Sequence, residues 1–167
     1  IVLLIEPGSS LLACILTFYA ALYMQGNGLD AGQIGLVATV GALAGLACQL
    51  VAAPVVNRLG RRRTLLVFSL VCWSIPLLLW AAAESLVLFL LAAVIFSSAR
   101  ISSVAWYCLA TEDVPDRQKP RVFGALSVIA ALGGIATAFA GPVLDRFGLV
   151  PTMRVLYLAG FAIMTAM

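Results

Sequence analysis

The chain has 167 residues, of which 63% are hydrophobic and 10% are charged, and its formal net charge is +3. A soluble domain is about half apolar and about a quarter charged, so this composition excludes an ordinary water-soluble globular protein. A membrane-spanning helix needs about 20 mostly apolar residues, so the length admits about six spans and leaves no room for a separate soluble catalytic domain.

Apolar runs of helical length follow one another along the chain, separated by polar residues, proline or glycine. They do not alternate between apolar and polar residues, as the strands of a membrane barrel would. We therefore predict an all-α transmembrane six-helix bundle, with spans at residues 3–25, 32–56, 64–83, 85–110, 121–144 and 152–167. The chain begins with Ile1 and stops inside the last run, so we expect the single domain 1–167 to be truncated at both ends.

Span 1 carries the polar residues Glu6, Thr17 and Tyr19, and span 2 carries Gln49. Polar and ionisable side chains inside a membrane usually face a cavity, so these four are candidate contacts for a solute or a coupling ion. Tyr23 lies closer to the outer end of span 1, where we expect it to anchor the helix at the membrane interface. The loop 26–31 follows, and its Asp30 is placed to cap span 2.

Positive charges concentrate in the connections 57–63 and 111–121, which hold seven of the ten Lys and Arg residues. Cytoplasmic loops carry an excess of these residues, so we predict that both connections face the cytoplasm, as in a multi-pass protein of a bacterial-type plasma membrane. Loop 26–31, Glu84 and the connection with Arg146 and Arg154 then face outward. The cations do not line an exposed face, so they do not indicate a nucleic-acid partner.

Arg100 is the foremost candidate for function because it lies within span 4. At about 1.5 Å per residue from the outer end of that span, it lies roughly 22 Å into a hydrocarbon core of about 30 Å. Residues at helical spacing from it form one polar stripe that would line water or a solute: Ser97, Ser103 and Tyr107. The tryptophans of spans 3 and 4, Trp73, Trp80 and Trp106, are expected in interfacial or packing positions.

Four roles of Arg100 and Glu6 remain open from the sequence. Arg100 can contact an anionic solute, or it can extend to lipid headgroups or neighbouring carbonyls. It can also pair with Glu6, because a partner lowers the cost of both charges. An unpaired Glu6 would instead bind and release a proton, since burial raises the pKa of a carboxyl group.

The element [ND]-R-x-G occurs twice, at Asn57 after span 2 and at Asp145 after span 5, 88 residues apart. This spacing predicts that spans 1–3 and 4–6 are two copies of one unit. An odd number of helices per copy inverts the second copy in the membrane. Inverted three-helix repeats of this kind are typical of transporter folds.

The connection after span 2 resembles that between helices 2 and 3 of the major facilitator superfamily, written G-x-x-x-D-R-x-G-R-[RK]. Ala53 and Asn57 replace its first Gly and its Asp, and the matching residues are Arg58, Gly60, Arg61 and Arg62. Residues 110–126 resemble the family's loop between helices 4 and 5. The stretch after span 5 resembles the end of family helix 5 and the following loop, through Gly141, Pro142, Asp145, Arg146 and Gly148.

This resemblance implies one half, more typically the N-terminal half, of a twelve-helix secondary transporter that works by alternating access. The expected partners are the bilayer, a small-molecule solute, a second six-helix half in the same polypeptide or a dimer partner, and a coupling ion such as a proton. Efflux is one direction open to it, and no cofactor is implied.

Two other functions are compatible with the same residues. Because Asn57 lacks the charge of the family's Asp, the fold could serve as a non-transporting scaffold or receptor. A membrane-embedded enzyme would have to use the acidic group Glu112, Asp113 and Asp116, which more simply solvates the loop. The chain has no histidine and no C-x-x-C pair, so neither a metal site nor a catalytic nucleophile with its base is indicated.

Overall fold

The computed structural model describes residues 12–112 and 114–166, except for the side chains of residues 136, 138, 139, 143, 145 and 166. All regular structure within these residues is helical, and they contain no strand, in agreement with the predicted all-α class. The helices are α1 (12–18), α2 (Ala20–Gly26), α3 (Ala31–Leu59), α4 (Arg61–Ser69), α5 (Ile75–Ala81), α6 (Leu86–Ser97), α7 (Ala99–Ala110), α8 (Lys119–Ala136), α9 (Gly141–Phe147) and α10 (Leu149–Ala166).

Each predicted span coincides with one or two of these helices. Span 1 contains α1 and α2, span 2 is α3, span 3 joins α4 to α5, span 4 joins α6 to α7, span 5 contains α8 and α9, and span 6 is α10. Three stretches are long and apolar enough to cross a membrane, namely Ala31–Leu59, Arg61–Ala81 and Leu86–Ala110. Large apolar side chains point outward from them, including Leu50 at 75% exposure and Val87 at 71%. A water-soluble monomer rarely exposes so much apolar surface, whereas lipid requires it.

The two predicted [ND]-R-x-G connections are each reduced to a single glycine. Gly60 alone separates α3 from α4, with φ 82° and ψ 146°, and Gly148 alone separates α9 from α10, with φ 84° and ψ 140°. Glycine adopts positive φ at little cost, so one residue suffices to turn the chain. The predicted loop 57–63 is therefore too long: its arginines belong to the last turn of α3 and the first turn of α4.

Short turns of other helical types interrupt spans 3 and 5. Pro76 lacks an N–H group and would clash with the carbonyl four residues earlier, and a π-helical turn at Leu70–Ser74 precedes it. Span 5 is likewise interrupted, by a 3₁₀ turn at Thr137–Ala140.

The predicted cap of span 2 is confirmed: the Asp30 carboxylate accepts a hydrogen bond from the Gln33 N–H at 2.8 Å, and Gln33 Oε1 accepts one from the Asp30 N–H at 3.1 Å.

An aromatic cluster around Tyr23 holds spans 1, 3, 4 and 6 together. Its ring lies 5.9 Å from that of Phe89 and 5.2 Å from that of Tyr157, and its hydroxyl donates to the Trp80 carbonyl at 2.8 Å. Tyr23 is fully buried, so its side chain packs inside the bundle, whereas the sequence predicted an anchor at the membrane interface. The spacing of span 1 placed Tyr23 near a helix end, but it could not reveal that three other helices close around that end.

Ion pairs join the helix ends in two separate groups. Arg61 meets Glu112 at 3.2 Å and Lys119 meets Asp116 at 2.6 Å, all within or beside the two basic connections. The hydrogen bond from Lys119 lowers the pKa of Asp116. Arg154 pairs with Glu84 at 3.1 Å, joining the two connections predicted for the opposite face.

Candidate functional site

A cleft of about 830 Å³ opens between spans 1, 2, 3 and 4. Its volume falls within the range of small-molecule sites, roughly 300 to 1,000 Å³. Most of its wall is apolar, and both small and large side chains contribute to it. The polar side chains that line it come from three spans and are Thr17, Gln49, Ser97, Arg100 and Ser103.

Arg100 reaches this cleft by lying across α3 at a position that has no side chain. Gly45 is buried there, and a Cβ placed on it would lie 3.8 Å from Nε of Arg100 and 3.9 Å from its Cγ. The stem of the arginine therefore lies within van der Waals reach of α3, and Arg100 is exposed. A guanidinium group presents several donors in a fixed plane and suits carboxylate or phosphate groups.

Two serines flank Arg100 on the same helical face. The Ser97 hydroxyl donates to the Val94 carbonyl at 2.6 Å, and the Ser103 hydroxyl donates to the Ala99 carbonyl at 2.8 Å. Each hydroxyl proton is therefore committed to its own helix, which leaves the oxygen lone pairs to accept from a solute. The predicted polar stripe of span 4 faces the cleft through these three residues.

Tyr107 and Tyr19 lie away from the cleft. The Tyr107 ring is 47% exposed and sits 5.7 Å from that of Phe123, near the far end of α7. Tyr19 donates to the Thr137 carbonyl at 3.4 Å, so it links span 1 to span 5. Helical spacing placed Tyr107 on the face of Arg100, but the cleft ends before the helix does.

Glu6, Asp113 and the Asp145 side chain lie outside the part of the chain that the structure describes. Among the described side chains, Arg61, Lys119 and Arg154 form ion pairs with acidic residues, and Arg100 forms none. Thr17 and Gln49 contribute polar atoms to the cleft from the two helices that face Arg100.

An aromatic wall of the cleft was not predicted from the sequence. The Phe96 ring lies 5.3 Å from Trp73 and 5.3 Å from Trp80, and all three side chains line the cleft. The two tryptophans are seven residues apart, which puts them on one face of a helix. That spacing was the available signal, but interfacial and packing roles give tryptophan the same pattern.

The sequence-predicted motif residues lie outside the cleft, at the ends of the bundle. Asn57, Arg58, Arg61 and Arg62 flank Gly60 at the end that carries the Arg61–Glu112 pair. The second set, Gly141, Pro142 and Arg146, is in α9 just before Gly148, with the Arg146 guanidinium 5.8 Å from the centre of the Phe147 ring.

The sequence model of the family described as Major Facilitator Superfamily matches residues 9–167. No curated protein sequence matches the chain, and no solved structure does. The family match covers every helix that the structure describes.

Proposed function

Because this chain belongs to the Major Facilitator Superfamily, we propose that it is one six-helix half of a secondary transporter whose solute contacts the cleft around Arg100. The family consists of membrane transporters rather than enzymes. The observation that carries the proposal is the cleft itself: a cavity of about 830 Å³ at the meeting of four spans, lined by Arg100 and by three aromatic side chains.

The chemistry of the cleft favours a small solute with an anionic group and an apolar, preferably aromatic, body. Arg100 supplies a charge that pairs with a carboxylate. The rings of Trp73, Trp80 and Phe96 supply a flat apolar surface on which an aromatic body can stack. Ser97 and Ser103 add acceptor oxygens beside the arginine.

A second six-helix half would cover the apolar surfaces of spans 2 and 5. Span 2 exposes Leu43 at 62%, Leu46 at 60% and Leu50 at 75%. Span 5 exposes Val128 and Leu132, each at 59%, and among the described residues α8 contacts the 3₁₀ turn that follows it and, through Phe123, Tyr107 of α7. Both surfaces are therefore available to a partner or to lipid, and a half-transporter needs a partner to enclose its cleft.

The helix contacts support two inverted three-helix copies. If the chain has two copies, spans 1, 2 and 3 correspond to spans 4, 5 and 6. The contact between spans 3 and 4 then corresponds to a contact between spans 6 and 1, and both contacts occur. The contact between spans 2 and 4 likewise corresponds to one between spans 5 and 1, where Tyr19 bonds to Thr137. The turns at Gly60 and Gly148 agree within a few degrees in φ and ψ. In this arrangement the basic end near Gly60 faces the cytoplasm.

The proposal is tested by solute binding to the full-length protein in detergent, measured through tryptophan fluorescence. Aromatic carboxylates are compared with their uncharged amides. A charged hydrogen bond to Arg100 should favour the carboxylate by about tenfold to a hundredfold. Arg100→Gln should remove this preference, whereas the matched variant Arg117→Gln, in the loop, should keep it. Equal binding of acid and amide to the wild-type protein would refute the role of Arg100.

A further inference from the structure

A second groove, of about 570 Å³, lies at the basic end of the bundle where α3, α4 and α7 meet. It is separate from the cleft, and no residue lines both. Three consecutive arginines of α4 form one side, and α7 forms the other. The described lining of the groove is Leu59, Gly60, Arg61, Arg62, Arg63, Leu109 and Glu112.

The positive charge in this groove exceeds what its one carboxylate neutralises. Glu112 pairs with Arg61 at 3.2 Å, and the described ion pairs include neither Arg62 nor Arg63. The first N–H in α4 with a backbone acceptor is that of Thr64, which donates to the Gly60 carbonyl at 3.0 Å. The N–H groups of the three arginines precede it at the positive end of the helix dipole. The groove therefore combines the guanidinium groups of Arg62 and Arg63 with backbone donors, a set that suits a phosphate oxygen.

An outward-facing apolar strip continues from the groove along the same helix. Leu66 is 68% exposed, Val67 is 56% exposed and Leu70 is 55% exposed, one to three turns below the arginines. Leu59 in the groove is itself 50% exposed. A ligand that fills both must carry a negatively charged head and a long apolar tail.

The turn at Gly148 provides an internal comparison. It has nearly the same backbone angles as Gly60, φ 84° and ψ 140° against φ 82° and ψ 146°. It is followed by Leu149, Val150 and Pro151 where Gly60 is followed by three arginines. The turn between two spans thus forms without basic residues, so its geometry does not explain the arginine cluster.

We propose that this groove binds an anionic phospholipid, with the headgroup phosphate held by Arg62, Arg63 and the first N–H groups of α4, and an acyl chain lying along Leu66 and Leu70. Basic pockets between transmembrane helices at the cytoplasmic surface favour such headgroups. The proposal concerns a site outside the cleft and does not depend on the identity of the solute.

The test is native mass spectrometry of the full-length protein with phosphatidylglycerol and phosphatidylcholine of identical acyl chains. The wild-type protein should retain the anionic lipid preferentially. Each arginine near a phosphate contributes about a fivefold preference, so Arg62→Gln with Arg63→Gln should reduce the preference by about 25-fold. The matched control, Arg117→Gln with Arg121→Gln, removes the same charge from the other basic connection and should leave most of the preference intact.

The same measurement separates the proposal from its competitors. Equal retention of both lipids by the wild-type protein would overturn it and leave the arginines as orientation signals alone. An equal loss in the control variant would overturn it in favour of diffuse surface attraction. Displacement of the lipid by soluble glycerol phosphate at the same concentration would indicate a site for free phosphate instead. The variant leaves five cations on this side against two on the other, so its orientation should be unchanged and can be checked by loop labelling.

Discussion

Cysteine substitution at two adjacent positions of α3 distinguishes the water-filled cleft from the outer surface of the bundle. Gln49 lines the cleft, whereas Leu50 points outward with 75% exposure. If the outer surface meets lipid or a second half, a thiol at position 50 has no access to water despite its exposure. Thiol reagents attack the thiolate, and removal from water raises a thiol pKa by about three units or more. The thiolate at position 50 should then be about 1,000-fold scarcer at neutral pH than that at position 49.

The assay is the rate at which a small hydrophilic thiol reagent modifies Gln49→Cys and Leu50→Cys in membranes containing the full-length protein. The four native cysteines are free and are first replaced by alanine or serine: Cys14, Cys48, Cys72 and Cys108. Position 49 should react at least about 100-fold faster, since part of the thousandfold difference is lost to helix motion. Comparable rates at both positions would refute the assignment of the cleft as the water-accessible face of span 2.

Three further predictions concern the stability of the bundle. Tyr23→Phe removes the buried hydrogen bond to the carbonyl on α5 and should lower the free energy of unfolding by about 1 kcal/mol, and an unchanged unfolding midpoint in detergent would contradict this. Gly60→Ala and Gly148→Ala each place a side chain at positive φ and should each cost about 1 to 2 kcal/mol; a loss at only one turn would show that the turns are not equivalent. Arg61 and Glu112 are both about half exposed, so a double-mutant cycle should give a coupling below about 1 kcal/mol, and a larger value would indicate a buried network.

The helical class and the positions of the spans follow from composition and hydropathy because lipid requires internally bonded helices of a fixed minimum length. The interruptions inside the spans are harder to predict. Pro76 predicts an irregularity in the helix of span 3. Whether that irregularity is a kink or the π-helical turn at Leu70–Ser74 depends on tertiary contacts. The one-residue turn at Gly60 was missed because the run of arginines after it is typical of a solvated loop, although it equally forms the first turn of a helix. The turn at Gly148 was missed because polar residues and Pro151 around it are also typical of a longer loop.

The cleft was partly predictable from the sequence. The cost of a charge in hydrocarbon singled out Arg100, and helical spacing correctly placed Ser97 and Ser103 beside it. Spacing assigns residues to a face of one helix, but it does not say which neighbour that face meets. Tyr23 for this reason proved to be a buried contact, and the aromatic wall containing Trp73 became visible only when span 3 was placed against span 4.

Solute counterflow across vesicles containing the full-length protein tests the central claim most directly. Vesicles are loaded with an unlabelled aromatic carboxylate, and uptake of the labelled compound is followed without an ion gradient. The account predicts transient, saturable accumulation above that of protein-free vesicles, reduced at least tenfold by Arg100→Gln, since that change removes a charged hydrogen bond. No accumulation of any aromatic carboxylate or amide by a stably folded wild-type protein would contradict the account.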